Sequence, residues 1–141
     1  MSELPLYKFD EADAELSLLP MAARRALDCA GLHLSLKGWQ ELPLTQRQAL
    51  VRAGAPDGVD VQKVVLLLAA ARAHIRPVPP LTEAEALDAT VLEALPVGHN
   101  LDLARWQQLS ALDRYVLAQL ARRGKHERLA VAYREICGDL P

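Results

Sequence analysis

Cysteine and aromatic residues are scarce in this chain, and each scarcity closes off a class of protein. Two cysteines, Cys29 and Cys137, stand far apart in 141 residues. A secreted disulfide scaffold needs more of them, and a metal site of the CxxC kind needs close pairs. One Phe, two Trp and three Tyr, with no alternating Val/Ile-rich stretch, leave a β-sandwich or barrel little to build on. The longest apolar run, Val64–Ala71, falls far short of the roughly 20 residues that span a bilayer. The opening Met-Ser-Glu-Leu-Pro lacks the basic region and apolar stretch of a secretory signal. A cytoplasmic protein that does not enter the membrane is the expectation.

Signatures of catalysis are missing as well. No Gly-x-Ser-x-Gly, glycine-rich phosphate loop or dinucleotide fingerprint occurs. His33, His74, His99 and His126 are scattered along the chain and form no zinc-type motif. The sequence therefore predicts no catalytic residue, no cofactor, no metal site and no enzymatic activity.

What is present is leucine and alanine. Apolar residues make up 51% and charged residues 24%, with a net charge of −2, as in a soluble globular protein without a general pull toward polyanions. Leu- and Ala-rich composition favours helices. Local signals place them. Pro20 can hold the first position of a helix that Gly31 stops. Ser35 can cap a short helix through Leu42, and Thr45 with Gln48 forms a capping box for a helix ending at Gly54. Asp57 or Asp60 starts an apolar helix over Val61–Ile75. Arg76-Pro77-Val78-Pro79-Pro80 reads as a stiff, extended linker. Thr82 with Glu85 caps a helix to about Leu95, Asp102 caps one carrying Trp106, and Ser110 with Asp113 caps one to Arg123. Gly124 stops that helix, and a last one runs from Lys125 or His126 to about Cys137.

Two stretches sixty-seven positions apart share an irregular pattern. Gly31–Leu50 and Gly98–Leu117 agree at eight of twenty aligned positions, including both tryptophans of the chain. In Trp-x-x-Leu-x-x-x-x-Arg-x-x-Leu, the Trp and first Leu share one face of a short helix, and the Arg and last Leu share one face of the next. This is the pattern of a duplicated helix-corner unit. A tryptophan there buries apolar area while its indole N–H finds a carbonyl; the arginine can lie along the ring or pair with an acidic side chain. The expected fold is all-α: seven or eight helices, no sheet, in a single compact domain over residues 1–141. Its parts are an acidic, extended lead-in (1–17), a first repeat half (18–75), the Pro-rich linker (76–80) and a second half (81–141).

Phe9-Asp10-Glu11-Ala12-Asp13, then Leu19-Pro20-Met21-Ala22-Ala23-Arg24 with Leu27-Asp28 and Gly31, and Trp39 with Arg47-Gln48 and Leu50-Val51, resemble the nitrate reductase-associated protein family. The second Trp block, with Leu109-Ser110 and Arg114, is similar to the family's C-terminal part, whereas residues 55–95 match poorly. Where the family is associated with a cysteine two residues before the proline, this chain has Leu18, so the resemblance implies no thiol- or metal-based role at that position. The resemblance implies a non-catalytic accessory protein that supports the activity or maturation of assimilatory nitrate reductase. The partner would then be nitrate reductase or its maturation machinery. Phe9, Asp10, Glu11, Asp13, Met21, Arg24 and Asp28 are the expected docking residues, the acids steering toward a basic surface and Phe9 and Met21 supplying apolar anchors. The alternative is a nucleic-acid-binding regulator using the basic cluster Arg122, Arg123, Lys125 and Arg128 around the Gly124 turn.

Overall fold

Small side chains let the first helix sit close to its neighbours. The computed structural model describes residues 4–81 and 89–138, and the chain divides into two compact units, Met1–Thr82 and Glu83–Pro141. In the first unit, α1 (Met21–Ala30) buries Met21, Ala22, Ala23, Arg25, Ala26 and Leu27. It packs against α3 (Leu44–Ala53) and α4 (Val61–Leu67). Three alanines on that face bring the end of α3 so near that a Cβ on Gly54 would lie 1.6 Å from the Ala22 carbonyl oxygen. Gly54 is therefore required for close approach, although its φ of −87° is ordinary.

Arg25 is the buried charge among the described residues of this unit, with no exposed surface. Its Nη1 donates to the carbonyls of Gly54 (2.8 Å) and Pro56 (2.6 Å), and its Nη2 donates to that of Asp57 (2.9 Å). The guanidinium thus fastens α1 to the loop that leaves α3. A buried cation is tolerable when its donors are satisfied in this way.

Gly31, at φ +69°, ends α1 in the left-handed region. The chain then enters β1 (Leu32–Leu34), which pairs antiparallel with β2 (Ile75–Pro77), Leu34 opposite Ile75. This small sheet corrects the expectation of helices alone, and it also shortens the expected helix over Val61–Ile75. Helical geometry runs only to Leu67; a 3-10 segment with a kink at Ala71 (φ −118°) follows to His74. Pro77 disfavours helical backbone at Arg76, and β1 offers the extended chain hydrogen-bond partners. Past β2, Val78 N–H donates to the Gly31 carbonyl (2.9 Å) and Leu81 N–H to that of Asp28 (2.9 Å). The Pro-rich stretch is thus fastened onto the end of α1.

α2 (Leu36–Glu41) is capped by Ser35, whose hydroxyl accepts from Gly38 N–H at 3.0 Å. The capping box at Thr45 does not form. Pro43 is the cap residue of α3, its carbonyl accepting from Gln46 and Arg47 N–H, and Thr45 lies inside the helix. Pro20 likewise precedes α1 as its cap residue instead of opening it. Asp60, of the two candidates, caps α4 by accepting from Lys63 N–H.

The second unit contains α5 (Ala89–Ala94), α6 (Leu103–Gln108), α7 (Ala111–Arg122) and α8 (His126–Cys137). The Thr82–Glu85 capping box lies outside the described residues. α7 packs against α8 and α5. Its core holds Leu112, Tyr115, Val116, Leu117 and Leu120 from α7, with Leu129, Ala132 and Tyr133 from α8. The buried Tyr133 hydroxyl accepts from Asn100 N–H at 2.8 Å. Asp102 and Ser110 cap α6 and α7 as expected, accepting from Arg105 and Asp113 N–H.

The two Trp-bearing stretches form the same corner. Trp39 and Trp106 are buried, at 1% and 2% exposure. Leu42 N–H donates to the Trp39 carbonyl and Leu109 N–H to the Trp106 carbonyl, each at 3.2 Å. Arg47 Nε donates to the Leu42 carbonyl and Arg114 Nη1 to that of Leu109, each at 3.0 Å. The arginine therefore serves a turn carbonyl, a partner that neither expectation, the indole ring or an acidic side chain, had named. No side-chain acceptor is needed, because the chain leaves the short helix with that carbonyl unpaired and within reach.

Gly54→Ala should cost about 3 kcal/mol or more, because backbone, not a flexible side chain, stands in the way of the methyl group. Urea unfolding of the full chain measures it, and a loss below 1 kcal/mol would contradict the close α1–α3 approach.

Candidate functional site

The acidic lead-in is not simply extended. Lys8–Asp10 form a 3-10 turn, with Glu11 in the left-handed region at φ 50°. Phe9 is buried at 8% exposure, its ring stacked on Tyr7 at a centroid distance of 5.0 Å. Asp10 closes the turn: Oδ2 accepts from Tyr7 N–H at 2.9 Å. Its Oδ1 accepts from Met21 N–H, eleven residues on, at 3.0 Å. Pro20 has no side-chain acceptor to offer α1, so the first free N–H of that helix is satisfied from a distance.

Further along, the Asp13 carboxylate accepts from Ser17 N–H (2.8 Å) and Ser17 Oγ (2.6 Å). The Ser17 hydroxyl, followed by its backbone N–H, holds the Asp13 carboxyl below its ordinary pKa. Between them, Leu16 is buried to 2% exposure although its φ is +52°. That strained conformation is held by the first Trp corner. Trp39 Nε1 donates to the Leu16 carbonyl at 2.6 Å, and Arg47 Nη1 reaches the carbonyls of both Glu15 and Leu16. Gln40 Nε2 adds a bond to the Ser17 carbonyl at 3.1 Å.

The expected docking residues therefore divide. Phe9 and Met21 are buried, so neither is a surface anchor. Asp10 is engaged in capping. Glu11 and Asp13 are exposed. Arg24 and Asp28, one helical turn apart on α1, line a cleft of about 350 Å³. Its wall includes the buried Leu27, Leu34 and Trp39, and its rim has Leu18 and Leu36, exposed at 64% and 51%. His33 and Ser35 add polar groups. Among the described residues no hydrogen bond or ion pair holds the half-buried Arg24 guanidinium. The lining offers polar and apolar surface in about equal measure, a mixture that can hold a ligand with both kinds of group, and the volume lies at the small end of the usual range.

Arg25, Arg47 and Trp39, which hold this region together, were absent from the expected set. The signal for Arg25 was its place four residues after Met21 and three after Ala22, on the buried face of α1. Among the described residues no group of three or more His, Cys, Asp or Glu side chains is placed to hold a metal ion. Cys29 and His33 stand four apart, but α1 ends between them, so they share no helical face. His74 pairs instead with Glu41 at 2.6 Å. Arg122, Arg123, Lys125 and Arg128 are all exposed around Gly124, whose turn is fixed by Gly124 N–H to the Ala121 carbonyl and Lys125 N–H to that of Leu120. No described helix is long and apolar enough to cross a membrane.

Residues 6–136 match a family model described as conserved nitrate reductase-associated protein. No curated protein and no solved structure matches the chain.

Two outcomes follow from the lead-in. Asp10→Ala should destabilise the chain by about 1–2 kcal/mol, the usual worth of a helix cap, with Asp10→Asn losing less because one acceptor oxygen remains; thermal or urea unfolding measures both. Because the Asp13 carboxyl is depressed in the folded state, its contribution is present at neutral pH and lost as pH falls through the acid range below about pH 4. Ser17→Ala should move the Asp13 carboxyl resonance midpoint upward in an NMR titration. An unmoved midpoint would contradict the hydroxyl bond.

Proposed function

The chain belongs to the conserved nitrate reductase-associated protein family, and from that premise we propose that it is a non-catalytic accessory protein. It binds assimilatory nitrate reductase, or an intermediate in its maturation, and supports the enzyme's activity. The match over residues 6–136 carries the reading. Supporting it, the string that carries the resemblance sets Arg24, Leu27 and Asp28 in the cleft beside the exposed Leu18 and Leu36. Exposed leucines around a polar pair suit a protein interface better than a solvated surface. Glu11 and Asp13, exposed on the lead-in, add negative charge that steers toward a basic region of the partner.

The basic turn at Arg122–Arg128 supports a nucleic-acid reading less well. Glu127 is exposed within the cluster, and a carboxylate among the cations opposes approach to phosphates.

Tagged full-length chain should retain nitrate reductase from an extract of cells inducing the enzyme. Deleting its gene should lower the yield of active reductase. Absence of a complex together with an unchanged yield of active enzyme would remove the proposal.

A further inference from the structure

The guanidinium groups of the first unit are not used alike. Arg25 donates to three backbone carbonyls, and Arg47 to those of Leu42, Glu15 and Leu16. The guanidinium of Arg24, next to Arg25 on the same helix, has no hydrogen-bond or ion-pair partner among the described residues, yet the residue is half-buried at the cleft. A guanidinium is a rigid fork that accepts a carboxylate through two parallel bonds. Partial burial makes that pairing stronger than on an open surface. Leu27, Leu32 and Leu34 add aliphatic surface to the lining, and the rim leucines Leu18 and Leu36 are exposed over much of theirs.

We infer that this cleft receives a segment of the partner protein that presents an aliphatic side chain next to a single carboxylate. The aliphatic group covers Leu18 and Leu36, and the carboxylate binds Arg24. This rests on the reading of the cleft as a docking face. Charge sets the limit to one carboxylate. Asp28 stands one turn from Arg24, and the exposed Glu11, Asp13 and Glu15 precede Leu18, so a run of acids would be repelled. A cleft of about 350 Å³ suits side chains of a peptide and not an extended cofactor.

The probe is a blocked peptide, acetyl-Lys-Leu-Leu-Glu-Lys-amide, titrated into isotopically labelled full-length chain beside its counterpart with Gln for Glu. The Glu peptide should shift the backbone amides of residues 24–28 and 33–36. The Gln peptide should bind at least about tenfold more weakly, the usual worth of a hydrogen bond to a charged group. Arg24→Gln should erase that difference without lowering the thermal midpoint, since no hydrogen bond or ion pair holds the Arg24 guanidinium among the described residues. Asp28→Asn should leave the preference in place or enlarge it. Equal binding of the two peptides, a preference surviving Arg24→Gln, or shifts confined to residues 122–128 would each overturn the inference. So would isocaproate binding as tightly as the Glu peptide, which would mark a small-molecule site. A nitrate reductase complex unaffected by Arg24→Gln overturns this inference and leaves the accessory role standing. A peptide preference erased by Arg24→Gln, with no reductase complex and an unchanged yield of active reductase, supports the cleft chemistry and removes the accessory role.

Discussion

The constraint on which the first unit depends is the disposal of backbone carbonyls that no helix or strand satisfies. Its helices are short, from six to ten residues, and every helix leaves its last carbonyls without intrahelical partners. Water can serve such groups at the surface but not where helices pack. Here the donors are long side chains brought in from elsewhere. Arg25 serves the exit of α3, Arg47 the exit of α2, and Trp39 the lead-in. Each bond crosses between elements, so satisfying a carbonyl also fixes how two pieces of chain meet. Removing one of these donors would leave buried acceptors unpaired, which costs more than the bond itself contributes.

Seen this way, α1 is held on every side that its neighbours can reach. Asp10 holds its first N–H, Arg25 its buried face, and the strap of residues 78–81 its last turn through Gly31 and Asp28. A helix fixed so thoroughly is a rigid support for what it exposes. Arg24 and Asp28 are the charged residues of α1 that line the cleft, and rigid presentation lowers the ordering entropy a partner must overcome.

Most local signals were legible, the capping box at Thr45 excepted, and distant ones were not. Ser35, Asp102 and Ser110 announce their caps because the acceptor and its N–H are three residues apart. Gly31 and Gly124 announce helix ends because the left-handed backbone there favours glycine. Val61–Ile75 misled because its apolar run fits a helix, whereas pairing with β1, some forty residues earlier, decides the conformation of Ile75. The acidic lead-in misled more seriously. Phe9 and Asp10 looked like surface groups in a charged segment, but a turn buries the one and a long-range cap engages the other. Of the docking set, Arg24 and Asp28 are the members that reach the cleft, and they come from the string on which the family resemblance was strongest.

The two corners show how one local design can serve different ends. Both fix a buried Trp, a turn leucine and an arginine bonded to that leucine's carbonyl. In the first, the indole N–H and a second guanidinium nitrogen extend beyond the corner to Leu16, whose left-handed backbone would otherwise be unfavourable. Fixing Leu16 fixes where the chain emerges at Leu18 and Leu19, and both of these line the cleft. Trp39 also lines it. The first corner therefore positions one wall of the cleft directly and another through the segment it grips, so the shape of the site follows from a packing unit whose sequence carries no chemistry of its own.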